Sequence, residues 1–213
     1  MIRPNPPRVV GVGGGVGTTT LATALRGRDR GRAPDQGVDV LVCRATGDSL
    51  HAAAGAVAWL ASAGRPRPAL AVTSDSPIPV RGMLRARLHQ MHPWFVGLVV
   101  LPYVTTWREL ADPLPSVARL AAYPVQELPR QLKAYATALE RLTEVLLSSG
   151  LLHPGPRALS AAVTAPALAA RGPGDEGARR PFQEARGGRS QIQDSGPGAV
   201  EGYPSDVWDR AAH

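Results

Sequence analysis

A cluster of glycines near the amino terminus is the segment of this sequence best suited to chemistry. Residues 13–20 read Gly-Gly-Gly-Val-Gly-Thr-Thr-Thr and follow a short β-branched run at residues 8–12. Small residues let the backbone approach a bound group closely, and N–H groups at the start of a helix favour an anion. Because residues 18–25 have the apolar spacing of a helix, the order strand, turn, helix predicts a phosphate-binding turn.

The letters of this turn resemble the loop of the ParA/MinD family of P-loop ATPases, KGGxGKT, over residues 8–25. In that family the lysine inside the loop contacts the β- and γ-phosphates, the next threonine holds Mg²⁺, and an earlier lysine reaches across a dimer. The corresponding positions here are Thr18, Thr19 and Gly13, so both lysines are absent. The resemblance therefore implies a degenerate member of the family.

The missing loop lysine affects the expected activity. Lys133 is the single lysine of the chain, which leaves 23 arginines among the 24 Lys+Arg residues. A loop lysine opposes the charge that develops on the γ-phosphate, so its loss predicts weak or absent hydrolysis. Backbone N–H groups would still bind an anion. We expect ATP or ADP as the ligand, with magnesium, and assign no catalytic residue.

Spacing and resemblance together nominate a set of nucleotide-contacting residues: Gly13, Gly14, Gly15, Val16, Gly17, Thr18, Thr19, Thr20 and Arg44. Arg44 follows a predicted strand at the end where doubly wound sheets bind ligands, and it is either a replacement cation or an ordinary surface arginine. For Mg²⁺ the candidates are Thr19 and Asp75. The interpretation we favour for residues 75–77, Asp-Ser-Pro, is a simple turn.

Strand and helix patterns alternate along the chain. We predict strands at residues 38–43, 68–74 and 96–101, and helices at 46–63, 80–91, 116–122 and 130–149. Residues 26–37 read as an exposed loop that carries four arginines. This alternation predicts an α/β fold, a parallel sheet with flanking helices, of the P-loop NTPase type. We expect one domain at residues 1–152 and a disordered, low-complexity tail at residues 153–213.

Composition restricts the compartment and the partners. One cysteine, Cys43, excludes an internal disulfide, and no apolar run reaches the roughly 20 residues of a membrane span, so we expect a cytoplasmic protein. The net charge of +7 lies within residues 1–150, which carry 17 basic and 10 acidic side chains. Arg81, Arg85 and Arg87, with the loop at residues 26–32, are candidates for one basic face that contacts DNA or another acidic surface.

Three functions are compatible with these residues. The first is a regulatory or scaffold protein that acts through a protein partner and hydrolyses little or no ATP. The second is an active ATPase with a non-lysine loop, switching a homodimer in partitioning, conjugation or protein localisation. The third is a basic protein that binds DNA without sequence preference. The histidines have no ligand spacing, so we predict no metal site built on them.

Overall fold

Five parallel strands form the sheet of this protein, in the order β2-β1-β3-β4-β5. The computed structural model describes residues 4–32 and 37–153. The strands are β1 (Arg8–Gly11), β2 (Arg28–Asp29), β3 (Val40–Arg44), β4 (Ala69–Thr73) and β5 (Gly97–Leu101). The direction of strand addition reverses between β1 and β3, which makes this junction the switch point of a doubly wound sheet.

Six α-helices connect or cover the strands of the described part. They are α1 (Thr18–Ala24), α2 (Gly47–Ser62), α3 (Gly82–Met91), α4 (Thr105–Arg108), α5 (Leu114–Arg119) and α6 (Arg130–Ser148). Short 3₁₀ turns occur at His92–Trp94, Leu120–Ala122 and Val125–Glu127. The predicted α/β class with a parallel sheet is confirmed. None of the described helices is both long and apolar enough to cross a membrane. The predicted tail lies outside the described residues, apart from His153.

The segment at residues 26–37 differs from the loop that we predicted. Within it, β2 pairs in parallel with β1, so that Arg28 lies opposite Arg8 and Asp29 opposite Val9. Two backbone hydrogen bonds, from Arg28 N–H to Pro7 O (2.7 Å) and from Arg30 N–H to Val9 O (2.9 Å), hold this edge. Strand β2 could not be predicted from the sequence, because both of its side chains are polar and exposed, and a strand made only by backbone pairing has no hydrophobic pattern.

Both faces of the central strands are buried. Val40, Leu41, Val42 and Cys43 of β3 are each at most 2% exposed, which explains the unbroken apolar run of this strand. Helices α2 and α3 share a core with β1, β3 and β4 on one face. On the other, α6 lies so close to β5 that a Cβ at Gly97 would be 2.6 Å from Val145 Cγ1.

An ion pair joins β1 to the segment before β3 at the amino end of the sheet. Arg8 Nε lies 3.0 Å from Asp39 Oδ2, and Arg8 Nη2 donates to Oδ1 at 3.1 Å. The backbone N–H of Arg8 donates to the same carboxylate at 2.9 Å. The Asp39 side chain is only 3% exposed. A buried carboxylate needs such donors, because burial removes its hydration.

Replacing Arg8 with alanine should destabilise the fold strongly. We expect the free energy of unfolding to fall by about 3 kcal/mol, since removing one partner of a buried ion pair typically costs about 3–5 kcal/mol. Urea denaturation followed by circular dichroism measures this. Arg141→Ala, at an exposed position of α6, is the matched control and should change stability by less than about 0.5 kcal/mol. A loss below about 1 kcal/mol for Arg8→Ala would contradict the assigned role of the pair.

The single cysteine should report on unfolding. Burial raises the pKa of Cys43 to about 12, and the thiolate is the reactive form, so a thiol reagent at about pH 8 should label it only after unfolding in concentrated urea. The raised pKa also has a consequence for stability. The neutral thiol favours the folded state below about pH 9, and this contribution is lost as the pH rises from about 9 towards 12. Rapid, complete labelling of the native protein by the thiol reagent would contradict the burial of Cys43.

Candidate functional site

The glycine turn lies between the end of β1 and the start of α1. Gly15 and Gly17 have φ values of 66° and 88°, in the left-handed region that favours glycine, and Gly17 immediately precedes α1. The turn also folds back over the strand, because a Cβ at Gly11 would collide with Thr18 Oγ1 and lie 2.8 Å from Val16 Cγ2. The predicted strand, turn and helix are thus present, with backbone conformations that require glycine.

Two guanidinium groups lie beside this turn. Arg44, the last residue of β3, donates to the carbonyl oxygen of Gly15 from Nη2 at 2.7 Å and from Nε at 3.1 Å. Arg32 lies on the other side, where its Nη2 would be 2.5 Å from a Cβ added at Gly14. The structure therefore places Arg44, which we nominated as a replacement cation, against the turn. It also adds Arg32, which no pattern in the sequence singled out as a residue of the site.

The hydroxyl of Thr19 contacts an aspartate that the sequence did not nominate. Thr19 Oγ1 donates to Asp29 Oδ2 at 2.6 Å, and the other carboxylate oxygen of Asp29 accepts from Gly31 N–H at 2.8 Å. Gly31 in turn accepts a hydrogen bond from Gly11 N–H at 2.8 Å. The Thr19 and Asp29 side chains meet because β2 pairs with β1, so this contact could not be foreseen without recognising β2.

Asp75 lies on a different side of the site. Its Oδ1 is 3.7 Å from Arg44 Nε, and both side chains are about 40% exposed (42% and 39%), so solvent screens the pair and it contributes little to stability. The structure gives Thr19 and Asp75 different partners, and the magnesium pair stays a prediction. Among the described residues no group of three or more His, Cys, Asp or Glu side chains could hold a metal ion.

A cavity of about 220 Å³ opens between the turn and the loops after β4 and β5. Of the nominated residues it is lined by Gly15, Val16, Gly17, Thr20, Arg44 and Asp75. The opposite wall is aromatic and includes Tyr103, Trp107 and Tyr135. The rings of Trp107 and Tyr135 meet edge to face with centroids 4.7 Å apart. Burial raises the pKa of the Tyr135 hydroxyl. Arg108 also lines this wall, with its guanidinium carbon 5.6 Å from the centroid of the Tyr103 ring.

A second cavity, of about 260 Å³, lies at the switch point between β1 and β3. Its walls are Val12, Gly13 and Gly14 on the turn and the first residues of α2. Hydrogen bonds lower the pKa of Asp48 at this helix start. The largest effect comes from the Thr46 hydroxyl and smaller ones come from the backbone. The resulting carboxylate disfavours a second anion here. Arg44 and Val16 line both cavities.

Other charged residues lie away from the turn. Lys133 is exposed on α6 and lines neither of the two cavities described above. Arg28 belongs to β2 at one edge of the sheet, whereas α3, with Arg81, Arg85 and Arg87, connects β4 to the opposite edge. The two arginine groups that we expected to form one basic face are therefore carried by separate parts of the fold.

The chain was also compared with known proteins. Neither known protein families, nor curated protein sequences, nor solved structures gave a match to this chain. The assignment of the site therefore depends on the geometry of the turn, its two arginines and its adjoining cavities.

Proposed function

We propose that this protein is a degenerate ParA/MinD-like nucleotide-binding protein that binds nucleotide weakly, hydrolyses little or none of it, and serves a regulatory or scaffold role. The observation that carries the proposal is the contact between the Arg44 guanidinium and the carbonyl of Gly15, at 2.7 Å and 3.1 Å. This contact fixes a cation beside a turn of the phosphate-binding kind, in which the lysine of the family is absent.

The shape and lining of the site support a phosphorylated ligand with an aromatic ring. Phosphate groups would accept hydrogen bonds from backbone N–H groups at Gly15 to Gly17 and face Arg44. The aromatic wall of Tyr103 and Trp107 offers a stacking surface for a planar base. The two cavities, of about 220 and 260 Å³, are each smaller than most ligand pockets. A nucleotide would therefore fit only partly into either cavity, which weakens binding.

Hydrolysis is disfavoured by the same arrangement. Arg44 is held by Gly15 O and lies 3.7 Å from Asp75, so part of its charge is already engaged. Thr18 carries no charge, and its side chain lies against Gly11 at the strand end. Without a cation that follows the γ-phosphate into the transition state, the largest electrostatic contribution to phosphoryl transfer is lost. A protein of this kind would act through the contacts it makes with partners.

Calorimetric titration of the full chain with ATP or ADP and Mg²⁺ tests the binding. We expect a dissociation constant on the order of 0.1–1 mM. Gly17→Val should weaken it at least about tenfold, because valine disfavours a φ of 88° and its Cβ would lie 3.3 Å from Thr73 Cγ2. Arg44→Ala should weaken binding by about tenfold, through loss of a charged donor and of the two hydrogen bonds that hold the Gly15 carbonyl.

Arg141→Ala is again the matched control, since it removes one positive charge from an exposed position of α6. Thermal unfolding of each variant shows whether the fold is intact. If ATP binds equally well to the wild type, Gly17→Val and Arg44→Ala, the turn is not the binding site. Absence of any heat at millimolar nucleotide would leave only the scaffold role.

A phosphate-release assay tests the expected lack of turnover. The wild type with Mg²⁺ and ATP should not exceed the blank without protein. Thr18→Lys restores the charge at the family's lysine position and should tighten ATP binding by about tenfold, the typical effect of one charged hydrogen bond. Magnesium-dependent phosphate release by the wild type that disappears in Thr19→Ala would overturn the proposal in favour of an active ATPase.

A further inference from the structure

Two apolar side chains protrude from the stretch of chain formed by the loop after β4 and the first turn of α3. Ile78 is 70% exposed and Met83 is 89% exposed, the highest values among the large hydrophobic side chains of the described residues. Neither lines the two cavities of the candidate site. Single exposed apolar residues are ordinary, but two side chains this exposed within six residues need a reason. Side chains that project from a surface suit a soft apolar phase better than a rigid concave partner.

The same segment is basic. Arg81 and Arg85 are exposed in the same stretch of chain as the two apolar side chains, and no acidic residue occurs in the sequence between Asp75 and Glu109. Asp75 itself is paired with Arg44. Arginines next to protruding apolar side chains form the pattern of a protein segment that enters the headgroup region of a membrane. We refer to Ile78, Arg81, Met83 and Arg85 together as the apolar-basic patch.

The backbone of the loop offers few hydrogen-bond donors that would lose their hydration. Pro77 and Pro79 have no N–H group, and the N–H of Ile78 between them donates to Ser76 Oγ at 3.3 Å. Three consecutive residues thus present no free donor. An unpaired N–H placed in an apolar phase is costly, so the N–H groups of these three residues add little to the penalty of entering one. A nucleic acid or an acidic protein surface would have no use for this property.

We infer that the apolar-basic patch docks on a bilayer that bears anionic lipid. Ile78 and Met83 enter the boundary between headgroups and acyl chains, and Arg81 and Arg85 pair with lipid phosphates. The loop lies after β4 at the carboxyl edge of the sheet, as does the glycine turn after β1, so a docked membrane would lie beside the candidate nucleotide site. The inference does not depend on nucleotide binding.

Vesicle flotation with the full chain, in the absence of nucleotide, tests the inference. We expect the protein to float with phosphatidylcholine vesicles that contain about one third phosphatidylserine, and much less with phosphatidylcholine alone. The double variant Ile78→Ser/Met83→Ser keeps every charge and should reduce partitioning by at least about tenfold. Arg81→Gln/Arg85→Gln keeps the apolar side chains and should reduce it by a similar factor.

Leu147→Ser is the matched control, because Leu147 is 49% exposed on α6, and it should change partitioning less than about twofold. All altered residues are exposed, so the variants should fold as the wild type does, and circular dichroism checks this. No flotation of the wild type, or flotation unaffected by Ile78→Ser/Met83→Ser, would overturn the inference. The inference would also be overturned if the protein bound duplex DNA in preference to vesicles, if Ile78→Ser/Met83→Ser retained this DNA binding, and if salt abolished it. That result would assign the arginines to nucleic acid.

Discussion

The junction of β1 and β3 is the constraint on which the rest of this structure depends. The two strands are neighbours in the parallel sheet, with Val9 opposite Val40. At each end of this strand pair an arginine side chain of one strand contacts the segment next to the other strand. At the amino end Arg8 of β1 holds the buried Asp39, and at the carboxyl end Arg44 of β3 holds the carbonyl of Gly15. Fixing the strand register at both ends also fixes where the glycine turn lies relative to β3.

The carboxyl edge of the sheet brings together functional segments and side chains from distant parts of the chain. Because all strands run parallel, the segments that follow β1, β3, β4 and β5 meet at one edge. They contribute the glycine turn, Arg44, Asp75 and the aromatic residues around Trp107. A cation fixed by β3 differs physically from a lysine within the turn, since it cannot move with a phosphate without breaking its own hydrogen bonds. This difference is consistent with a protein that holds a ligand more readily than it transforms one.

The edge of the sheet also explains why the candidate nucleotide site and the proposed docking patch lie near each other. The loop after β4 begins with Asp75, which faces Arg44, and continues to the protruding Ile78. A surface contact at Ile78 and Met83 would therefore be connected to the turn through a short stretch of backbone and one exposed ion pair. Such proximity is a result of the parallel topology, in which successive crossover loops are brought next to each other.

The sequence by itself determined the α/β class, the alternation of elements and the glycine turn, because buried parallel strands and amphipathic helices leave a strong apolar pattern. Helices α2 and α6 and strands β3, β4 and β5 were found within a few residues of their observed bounds. Arg44 was nominated from its place at a strand end. These are local properties, and hydrophobic spacing encodes them directly.

Only the tertiary structure decided which partners the site residues have. Strand β2 is polar and made by backbone pairing, so its side-chain pattern does not predict a strand. The Thr19–Asp29 contact that this strand creates could therefore not be predicted either. The pairing of Arg8 with Asp39 joins residues 31 positions apart. Thr19 and Asp75 have different partners, because the Thr19 hydroxyl donates to Asp29 of β2 whereas Asp75 lies near Arg44 of β3. Contacts of this kind follow from strand order, which one sequence does not specify.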